Sequence, residues 1–388
     1  MSPKDYLTNK AFCPIPWTGL MYNFDGSVKN CIRSQTTIGN LKDNSITEIL
    51  EEDIAVKLSM RDGKKFDRCT PCYDLEENTN KFNIISDRVF YLKELRHVDS
   101  NLYDTKNFLL NTVDLRWSNL CNFSCVYCSP EFSSKWASEL KVEIKTPNET
   151  ARKDFKNWIF GQAAKLKHVY LAGGEPLLMK ENLEFLEILK QENPNVNLRI
   201  NTNLSKTDTE IFKTICNFKN VHWTVSIESM EEEFEYIRYG SNWVDFQNNL
   251  HIIKSLDHKI TFNMLHFILN ATSIFGCVDW LSKQGFHANS FVIGSLLGPD
   301  HLNIRHLPDS VLECVKNELQ NRINDRPGYL LENSYKNLLQ YIQSPIQKNY
   351  SNCLNKLREL DQRRGCDSTL VFPHLYTFIK AKKHDQTI

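Results

Sequence analysis

The chain has 388 residues, and its 47 basic and 47 acidic side chains give a formal net charge of zero. This balance excludes a global electrostatic attraction to nucleic acid or to anionic membranes. Its 41 % hydrophobic and 24 % charged residues are typical of a globular protein, and no apolar run reaches the roughly 18 residues of a membrane span. The opening residues, MSPKDYLTNKAFCPIPW, lack the basic-then-apolar pattern of a signal peptide, so we expect a cytoplasmic protein.

Residues 1–90 are predicted to form a small α+β domain that is held together partly by metal. MYNFDGSVKNC predicts a hairpin with Asp25 and Gly26 as its turn, and SITEIL predicts a helix capped by Ser45 and Glu48. This segment has four cysteines and few long apolar runs, so a metal is expected to supplement a small core. Residues 91–110 are predicted to be a helical connector.

From about residue 110 the sequence alternates strand-like and helix-like stretches, which predicts a parallel α/β unit over residues 111–306. The strand-like stretches are β-branched and aromatic with little polar alternation, so we expect strands covered on both faces, in an open sheet or a partial barrel. Residues 307–388 are predicted to be a helical extension. The predicted strands are 112–118, 168–176, 197–203, 221–229, 260–269 and 288–297.

The 12 cysteines are the most informative part of the composition. In a reducing compartment, grouped cysteines indicate metal ligation or catalysis more often than disulfides. Two groups stand out: Cys13, Cys31, Cys69 and Cys72, then Cys121, Cys125 and Cys128. Of the five scattered cysteines, four are expected to have structural roles, namely Cys216, Cys277, Cys353 and Cys366.

The second group, in the segment CNFSCVYC, directly follows the first strand of the predicted α/β unit. Loops at the carboxyl ends of strands are where such folds build active sites. Four thiolates suit an iron–sulfur cluster or zinc, whereas three leave one coordination position open for another ligand. A zinc knuckle whose fourth ligand is His168 or a scattered cysteine remains an alternative.

Further polar groups follow the second and fourth predicted strands. The Gly-Gly-Glu sequence at residues 173–175 allows close backbone approach, and its carbonyls and carboxylate suit an ammonium group. Ser226 and Glu228 place a hydroxyl and a carboxylate at the mouth of the predicted barrel, and Arg238 could pair with a ligand carboxylate. Singly, these would be a turn, a strand residue and a surface ion pair; together, their positions favour a binding site. Weaker candidates are Asn263, His266, Asn270 and His301.

These motifs together resemble the radical S-adenosylmethionine (SAM) superfamily over roughly residues 110–300. The resemblance implies a partial (β/α)6 barrel of the TIM type. It also implies that Cys121, Cys125 and Cys128 hold a 4Fe–4S cluster whose remaining iron binds the amino and carboxyl groups of SAM. The SAM-contacting residues implied by the resemblance are Tyr127, Gly173, Gly174, Glu175, Asn201, Asn203, Ser226, Glu228 and Arg238.

The N-terminal cysteines resemble those of the SPASM and twitch auxiliary-cluster domains. Cys13 is followed by Gly26 and Cys31, and a CxxC pair comes at Cys69 and Cys72. Such domains normally follow the barrel, whereas this module precedes it. The resemblance implies one auxiliary 4Fe–4S cluster on these four cysteines, which relays an electron to or from a substrate radical. A zinc ribbon would use the same residue types and remains an alternative.

The activity that the resemblance implies is reductive cleavage of SAM to a 5′-deoxyadenosyl radical, which abstracts a hydrogen atom from a substrate. It also implies a low-potential electron donor such as flavodoxin or ferredoxin. A peptide or amino acid is the first expectation for the substrate, followed by a carbohydrate, nucleoside or nucleotide. Two other classes stay open: a non-catalytic zinc-binding protein and an electron-transfer protein with two clusters.

Overall fold

A computed structural model describes residues 8–34, 36–78, 86–94, 108–325 and 331–376. Within these residues, nine strands form one sheet in the order β3-β2-β1-β4-β5-β6-β7-β8-β9. From β4 onward the spatial order follows the chain, as expected for successive β/α repeats. The strands are β1 (Gly19–Asn23), β2 (Ser27–Lys29), β3 (Gly39–Asn40), β4 (Thr112–Arg116), β5 (His168–Leu171), β6 (Asn197–Thr202), β7 (Val221–Ser226), β8 (Lys259–His266) and β9 (Phe291–Ser295).

The predicted α/β class is confirmed, and the strand order is consistent with a partial barrel of the TIM type. β4 pairs in parallel with β5, from Thr112 opposite His168 to Leu115 opposite Leu171. β5 and β6 are parallel, as are β8 and β9. Parallel neighbours require long crossover connections, and helices supply them between the later strands.

The polar pattern of β5 and β6 differs from the prediction. Leu171 and Ile200 are fully buried, whereas Tyr170 is half-buried and Arg199 is exposed. Tyr170 stands opposite Arg199 in the parallel register, and the Arg199 guanidinium lies 5.5 Å from the Tyr170 ring centroid. The expectation of strands covered on both faces is therefore wrong for β6, where Asn197 and Arg199 are exposed, whereas the corresponding side chains of β5 are half-buried.

Several predicted strands were also too long. β5 ends at Leu171, so Gly173 and Gly174 lie in the following loop. The φ angle of Gly173 is +112°, which lies outside the β region and is open mainly to glycine. β7 similarly ends at Ser226, and residues 288–290 form a 3₁₀ turn before β9.

The predicted N-terminal hairpin and capping box are both confirmed. β1 and β2 are antiparallel, and Gly26 at their turn has a φ of +87°. The Ser45 side chain accepts from the Glu48 amide, and the Glu48 carboxylate accepts from the Ser45 amide. One feature was not predicted: β1 pairs in parallel with β4 over five residue pairs, so the hairpin continues the sheet rather than forming a separate one.

Helices account for most of the remaining described structure. Several begin at an N-cap side chain, for example Asn148 before Glu149–Phe160 and Asn349 before Tyr350–Arg364, which satisfies a free backbone amide. The helices are α1 (Ile15–Thr18), α2 (Ile46–Glu52), α3 (Ile54–Arg61), α4 (Thr70–Asn78), α5 (Asp87–Glu94), α6 (Ser134–Leu140), α7 (Glu149–Phe160), α8 (Lys180–Glu192), α9 (Glu210–Ile215), α10 (Glu231–Ile237), α11 (Trp243–Lys254), α12 (Ser273–Lys283), α13 (Asp309–Asp325), α14 (Glu332–Gln343), α15 (Tyr350–Arg364) and α16 (Ser368–Val371).

The chain divides into two compact units. Unit 1 consists of Met1–Cys121, Pro130–Asn201 and Asp208–His222, and unit 2 consists of Asn122–Ser129, Thr202–Thr207 and Trp223–Ile388. The predicted domain limits at residues 90, 110 and 306 stay predictions. Residues 95–107 of the predicted connector lie outside the described residues, as do 326–330 and 377–388 of the predicted extension. No helix in the described ranges has the length and apolar character needed to span a membrane.

Candidate functional site

The cysteine segment continues in unit 2 as a loop, residues 122–129, which is hydrogen-bonded to the backbone of residues 237–239. The Ser124 amide donates to the Tyr239 carbonyl at 2.9 Å, and the Val126 amide donates to the Ile237 carbonyl at 2.8 Å. The Cys128 amide turns back onto the Cys125 carbonyl, also at 2.9 Å. Cys125 is buried and Cys128 is half-buried, so the backbone bonds fix the positions from which both thiols project.

Asn203, one of the predicted SAM-contacting residues, contacts this loop through its side chain. Its Nδ2 donates to Oδ1 of Asn122 at 3.0 Å, and Nδ2 of Asn122 donates to the Ser205 hydroxyl at 2.9 Å. The segment after β6 therefore supports the residue between the first and second cysteines. Asn122 was not singled out from the sequence, because an asparagine within a loop gives no signal of its own.

Within unit 1, the Gly-Gly-Glu loop packs against the residues that lead to Cys121. The Glu175 amide donates to the Leu120 carbonyl at 2.7 Å. A Cβ atom on Gly174 would lie only 2.2 Å from that carbonyl oxygen, and one on Gly173 would lie 2.8 Å from the Ser118 carbonyl oxygen. Both positions therefore need glycine for close backbone approach. Glu175 is fully buried, and its carboxylate accepts from the Leu177 amide at 3.1 Å.

Cys121 itself is half-buried in unit 1. Its amide donates to the Ser134 hydroxyl at 3.1 Å, at the start of α6. Asn201, at the end of β6, is also half-buried in this unit, and Ser226 is half-buried at the end of β7 in unit 2. Each predicted residue is therefore near the carboxyl end of its strand or in the loop that follows.

Tyr127, Glu228 and Arg238 form a buried hydrogen-bonded triad in unit 2. Nη1 of Arg238 donates to Oε2 of Glu228 at 2.9 Å and to the Tyr127 hydroxyl at 2.6 Å. That hydroxyl donates to Oε1 of Glu228 at 2.9 Å. Glu228 is 1 % exposed and Arg238 is 4 % exposed, so the ion pair lies where the loss of either charge would leave the other uncompensated.

The charges of this triad affect the pKa of the second cysteine, Cys125. Burial raises the pKa of the Cys125 thiol, while the positive charge of Arg238 opposes that rise. Burial likewise raises the pKa of Tyr127 well above its usual value, so its hydroxyl stays protonated. Nε of Arg238 is buried and has no hydrogen-bond partner within the described structure. An unpaired buried donor of this kind fits an anionic ligand group.

The weaker candidates near β8 have structural partners. Nδ2 of Asn270 donates to the carbonyls of Glu228 and Leu265 at 2.9 and 2.8 Å, so Asn270 supports the backbone of the triad. His266 is fully buried with Nε2 2.9 Å from the Ala271 carbonyl. Burial lowers the pKa of His266 to about 4, so the ring is neutral at pH 7 and its Nε2 donates to that carbonyl.

The four N-terminal cysteines lie close enough in unit 1 to influence one another's ionisation. Burial and the neighbouring thiols of Cys31, Cys69 and Cys72 raise the pKa of Cys13 well above its usual value. Burial raises the pKa of Cys69 to about 12, and Cys31 adds to the rise while Arg68 opposes it. Cys72 is buried and the other three cysteines are half-buried. Thiols that disfavour ionisation in this way fit a cationic centre, because such a centre stabilises the thiolates.

The surroundings of these four thiols are apolar with a few buried ionic groups. Cys13 and Cys69 pack against a cluster of buried side chains that includes Phe12 and Trp17. Nη1 of Arg88 donates to the Phe12 carbonyl at 2.8 Å and so fixes the residue before Cys13. No group of three or more His, Cys, Asp or Glu side chains within the described ranges already has the geometry of a bound metal ion. The fit of both cysteine sets therefore rests on residue type, burial and, for the N-terminal set, proximity.

Two families match parts of the chain. Residues 115–273 match the radical SAM superfamily, and residues 13–73 match the SPASM family, described as an iron–sulfur cluster-binding domain. The matched ranges contain both predicted cysteine groups, with the SPASM domain on the N-terminal side.

Two curated relatives were also found. A 7-carboxy-7-deazaguanine synthase of Clostridium acetobutylicum is 30 % identical over 135 residues, which cover 34 % of this chain and 54 % of that protein. A GTP 3′,8-cyclase of Sulfurimonas denitrificans is 22 % identical over 191 residues, covering 47 % of this chain and 56 % of that protein. The chain thus spans just over half the length of the curated relatives that it matches.

Two solved structures are among those to which the chain is similar. One is described as native anSMEcpe with bound AdoMet, at 15 % identity and a TM-score of 0.41, covering 56 % of this chain and 62 % of that chain. The other is Streptococcus suis SuiB bound to its precursor peptide SuiA, at 14 % identity and a TM-score of 0.41, covering 72 % of this chain and 60 % of that chain.

Proposed function

Because the chain belongs to the radical SAM superfamily and carries a SPASM domain on the N-terminal side, we propose that it cleaves SAM reductively and abstracts a hydrogen atom from a substrate. The main observation behind this proposal is the position of the loop that contains Cys125 and Cys128. Its amides are bonded to the backbone of residues 237–239, and it lies beside the buried triad of Tyr127, Glu228 and Arg238. Three thiolates in CNFSCVYC suit a cluster with one iron open to a ligand.

In this proposal Cys121, Cys125 and Cys128 hold a 4Fe–4S cluster. When bound, the cluster supplies the single low-potential electron that cleaves the sulfonium bond of SAM. The chain's own groups bind and orient SAM: the unpaired Nε of Arg238 suits a carboxylate, and the Gly-Gly-Glu loop offers backbone and carboxylate groups to an ammonium. The same proposal assigns contacts with SAM to Asn201, Asn203 and Ser226.

The four N-terminal cysteines are proposed to hold one auxiliary 4Fe–4S cluster. Their mutual effect on ionisation and their burial support a shared cationic centre. With four protein thiolates on the cluster, no iron is left open for the substrate, so an electron-relay role is favoured over substrate binding. Zinc would use the same donors, and the metal content of the anaerobically purified protein separates the two alternatives.

For the substrate we favour a peptide or an amino acid, because SPASM-type auxiliary clusters are the feature that this chain shares with peptide-modifying members of the superfamily. A nucleotide is the second proposal, and a specific observation supports it: one curated relative is named for a reaction of GTP and another for a deazaguanine. A nucleoside or a carbohydrate is a further alternative for the same chemistry.

The electron donor is proposed to be a small low-potential protein such as flavodoxin or ferredoxin. A cleft in unit 1 favours an acidic partner of this kind. Arg152, Lys153, Lys156 and Lys180 line it beside only two acidic residues, Glu149 and Glu181. The neighbouring cleft includes residues 117–120, which lead directly to Cys121, so a donor bound there would lie close to the first cysteine of the CNFSCVYC segment.

The decisive experiment measures 5′-deoxyadenosine after dithionite reduction of anaerobically reconstituted protein with SAM. We expect the wild type to form it and Cys125→Ala to form none, because the SAM-binding cluster loses a ligand. Cys69→Ala should retain part of this uncoupled cleavage, because it removes only an auxiliary ligand. Undiminished product in Cys125→Ala, or zinc without iron and sulfide in the wild type, would refute the proposal.

A further inference from the structure

Helix α15 reaches the cysteine loop through the side chain of its last residue. Arg364 is the last residue of α15, and its Nη2 donates to the Ser124 carbonyl at 2.8 Å, across 240 positions of sequence. Ser124 directly precedes Cys125. The bond therefore acts on the peptide group that carries the amide of the second cysteine.

A second contact closes a ring of interactions around this carbonyl. The Arg364 guanidinium carbon lies 4.4 Å from the centroid of the Tyr239 ring, within the range of a cation–π contact. The Tyr239 carbonyl in turn accepts from the Ser124 amide at 2.9 Å. Arg364, Tyr239 and Ser124 thus each contact the other two, and both backbone groups of Ser124 are held.

The end of α15 is itself anchored to the element that precedes Tyr239. Asp361, one turn before Arg364, accepts from the Tyr236 hydroxyl of α10 at 2.7 Å. Its other oxygen accepts from the Ser368 amide and hydroxyl at 3.0 and 2.6 Å. Gly365 then ends the helix with a φ of +66°. Since these contacts fix the last turn, the position of the Arg364 side chain is set by the fold of unit 2.

We propose that helix α15 clamps the cysteine loop through Arg364, which makes Arg364 a positioning residue for Cys125. This inference rests on the proposed function, because it assigns the clamp to the loop that would hold the SAM-binding cluster. A hydrogen bond to a charged group is stronger than one between neutral groups, so it can select one loop conformation. The guanidinium charge also polarises the Ser124–Cys125 peptide and favours the more negative, reduced state of a nearby cluster.

The test compares Arg364→Met, which keeps a long apolar stem and removes the charge, with Arg364→Lys and with Arg358→Met. Arg358 lies on the same helix, is exposed, and donates to the Asn355 side chain at 3.1 Å, so it is a matched control. Hydrogen–deuterium exchange of the peptide covering residues 122–128 gives the first readout. The reduction potential of the SAM-binding cluster gives the second.

In Arg364→Met, the amides of the cysteine loop should exchange roughly 10- to 100-fold faster than in the wild type, as expected for the loss of a charged hydrogen bond. The reduction potential of the SAM-binding cluster should shift to a more negative value. Arg364→Lys should restore most of the potential, because the charge remains, but not the full protection, because the planar fork is lost. Arg358→Met should match the wild type in both readouts.

Unchanged exchange and unchanged potential in Arg364→Met would overturn the clamp. If β8 also lost protection, the unit would be generally destabilised, and Tyr239→Leu would then decide. It removes the ring beside the Arg364 guanidinium and the hydroxyl that donates to the Arg364 carbonyl at 3.4 Å, while the Tyr239 carbonyl can still accept from the Ser124 amide. Faster exchange confined to residues 122–128 supports the clamp, and no change refutes it. The exchange readout needs no SAM cleavage. Failure of the proposed function would abolish 5′-deoxyadenosine in the wild type, so the two failures are distinguishable.

Discussion

At the scale of single residues, the site combines a buried ion pair with a half-buried phenol. Glu228 and Arg238 are separated by ten positions, and both lie almost fully out of solvent. Each charge compensates the other, and both side chains are hydrogen-bonded to the Tyr127 hydroxyl. Tyr127 directly precedes Cys128, the third cysteine of the segment. The arrangement sets the orientation of the aromatic side chain that the sequence motif places before Cys128.

We predict that Arg238→Met lowers the free energy of unfolding by about 3–5 kcal/mol, because it leaves the Glu228 carboxylate buried and uncompensated. The double variant Glu228→Leu/Arg238→Met should recover part of this loss. Urea unfolding of the anaerobically reconstituted proteins measures both. Lys316→Met, which removes an exposed ion pair with Glu313, should cost less than about 1 kcal/mol; a similar small cost for Arg238→Met would contradict the buried triad.

The sequence identified Glu228 and Arg238 as candidate residues, but it did not identify the side chains to which they are hydrogen-bonded. Glu228 and Arg238 were selected because they follow a strand end, which is a local property. That they bond to each other and to Tyr127 depends on separations of more than 100 positions for Tyr127. Asn122 and Arg364 were not identified for the same reason, and Asn270 was only a weaker candidate: each contacts the site only through the folded arrangement.

At the scale of elements, the loop after β5 is defined by backbone packing rather than by side-chain chemistry. The Cβ position of Gly174 is filled by the carbonyl oxygens of Leu120 and Asn119, at 2.2 and 2.6 Å. The loop therefore follows the contour of the segment that leads to Cys121, and no other residue type fits there without moving backbone.

Gly174→Ala should therefore lower the free energy of unfolding by about 1–3 kcal/mol through overpacking. Gly161→Ala is the matched control in the same unit, since a Cβ there meets nothing closer than 3.5 Å and its φ of −65° is open to alanine. It should be neutral or slightly stabilising. Chemical unfolding measures both variants, and equal stability of the two would show that the loop can move aside at little cost.

Element types could be predicted well because the periodicities are strong. The six strands of the α/β unit and the Asp25–Gly26 hairpin follow from runs of β-branched residues and from turn residues. The end of β5 was predicted too late, because the backbone leaves the β region at Gly173, whose φ is +112°, and a pattern of apolar residues does not show such a change. The parallel pairing of β1 with β4 could not be predicted, since it joins segments about 90 positions apart.

At the scale of the whole molecule, the chain carries two cysteine sets in different surroundings. The N-terminal set in unit 1 supplies four thiols, of which those of Cys13 and Cys69 pack against a cluster that includes Phe12 and Trp17. The loop of residues 122–129 lies in unit 2, where backbone bonds, the triad and Arg364 surround it. This difference is consistent with the proposed function, in which the two cysteine sets hold two clusters and only the second cluster leaves an iron open to a ligand.

The most direct test of this account is an electron paramagnetic resonance measurement on the Cys69→Ala/Cys72→Ala variant, which removes the auxiliary site. After anaerobic reconstitution and dithionite reduction, the account predicts about four irons per chain and a cluster spectrum whose g values shift when SAM is added. A variant that binds no iron, or a cluster whose spectrum is unchanged by SAM, would contradict the claim that Cys121, Cys125 and Cys128 leave one iron open to SAM.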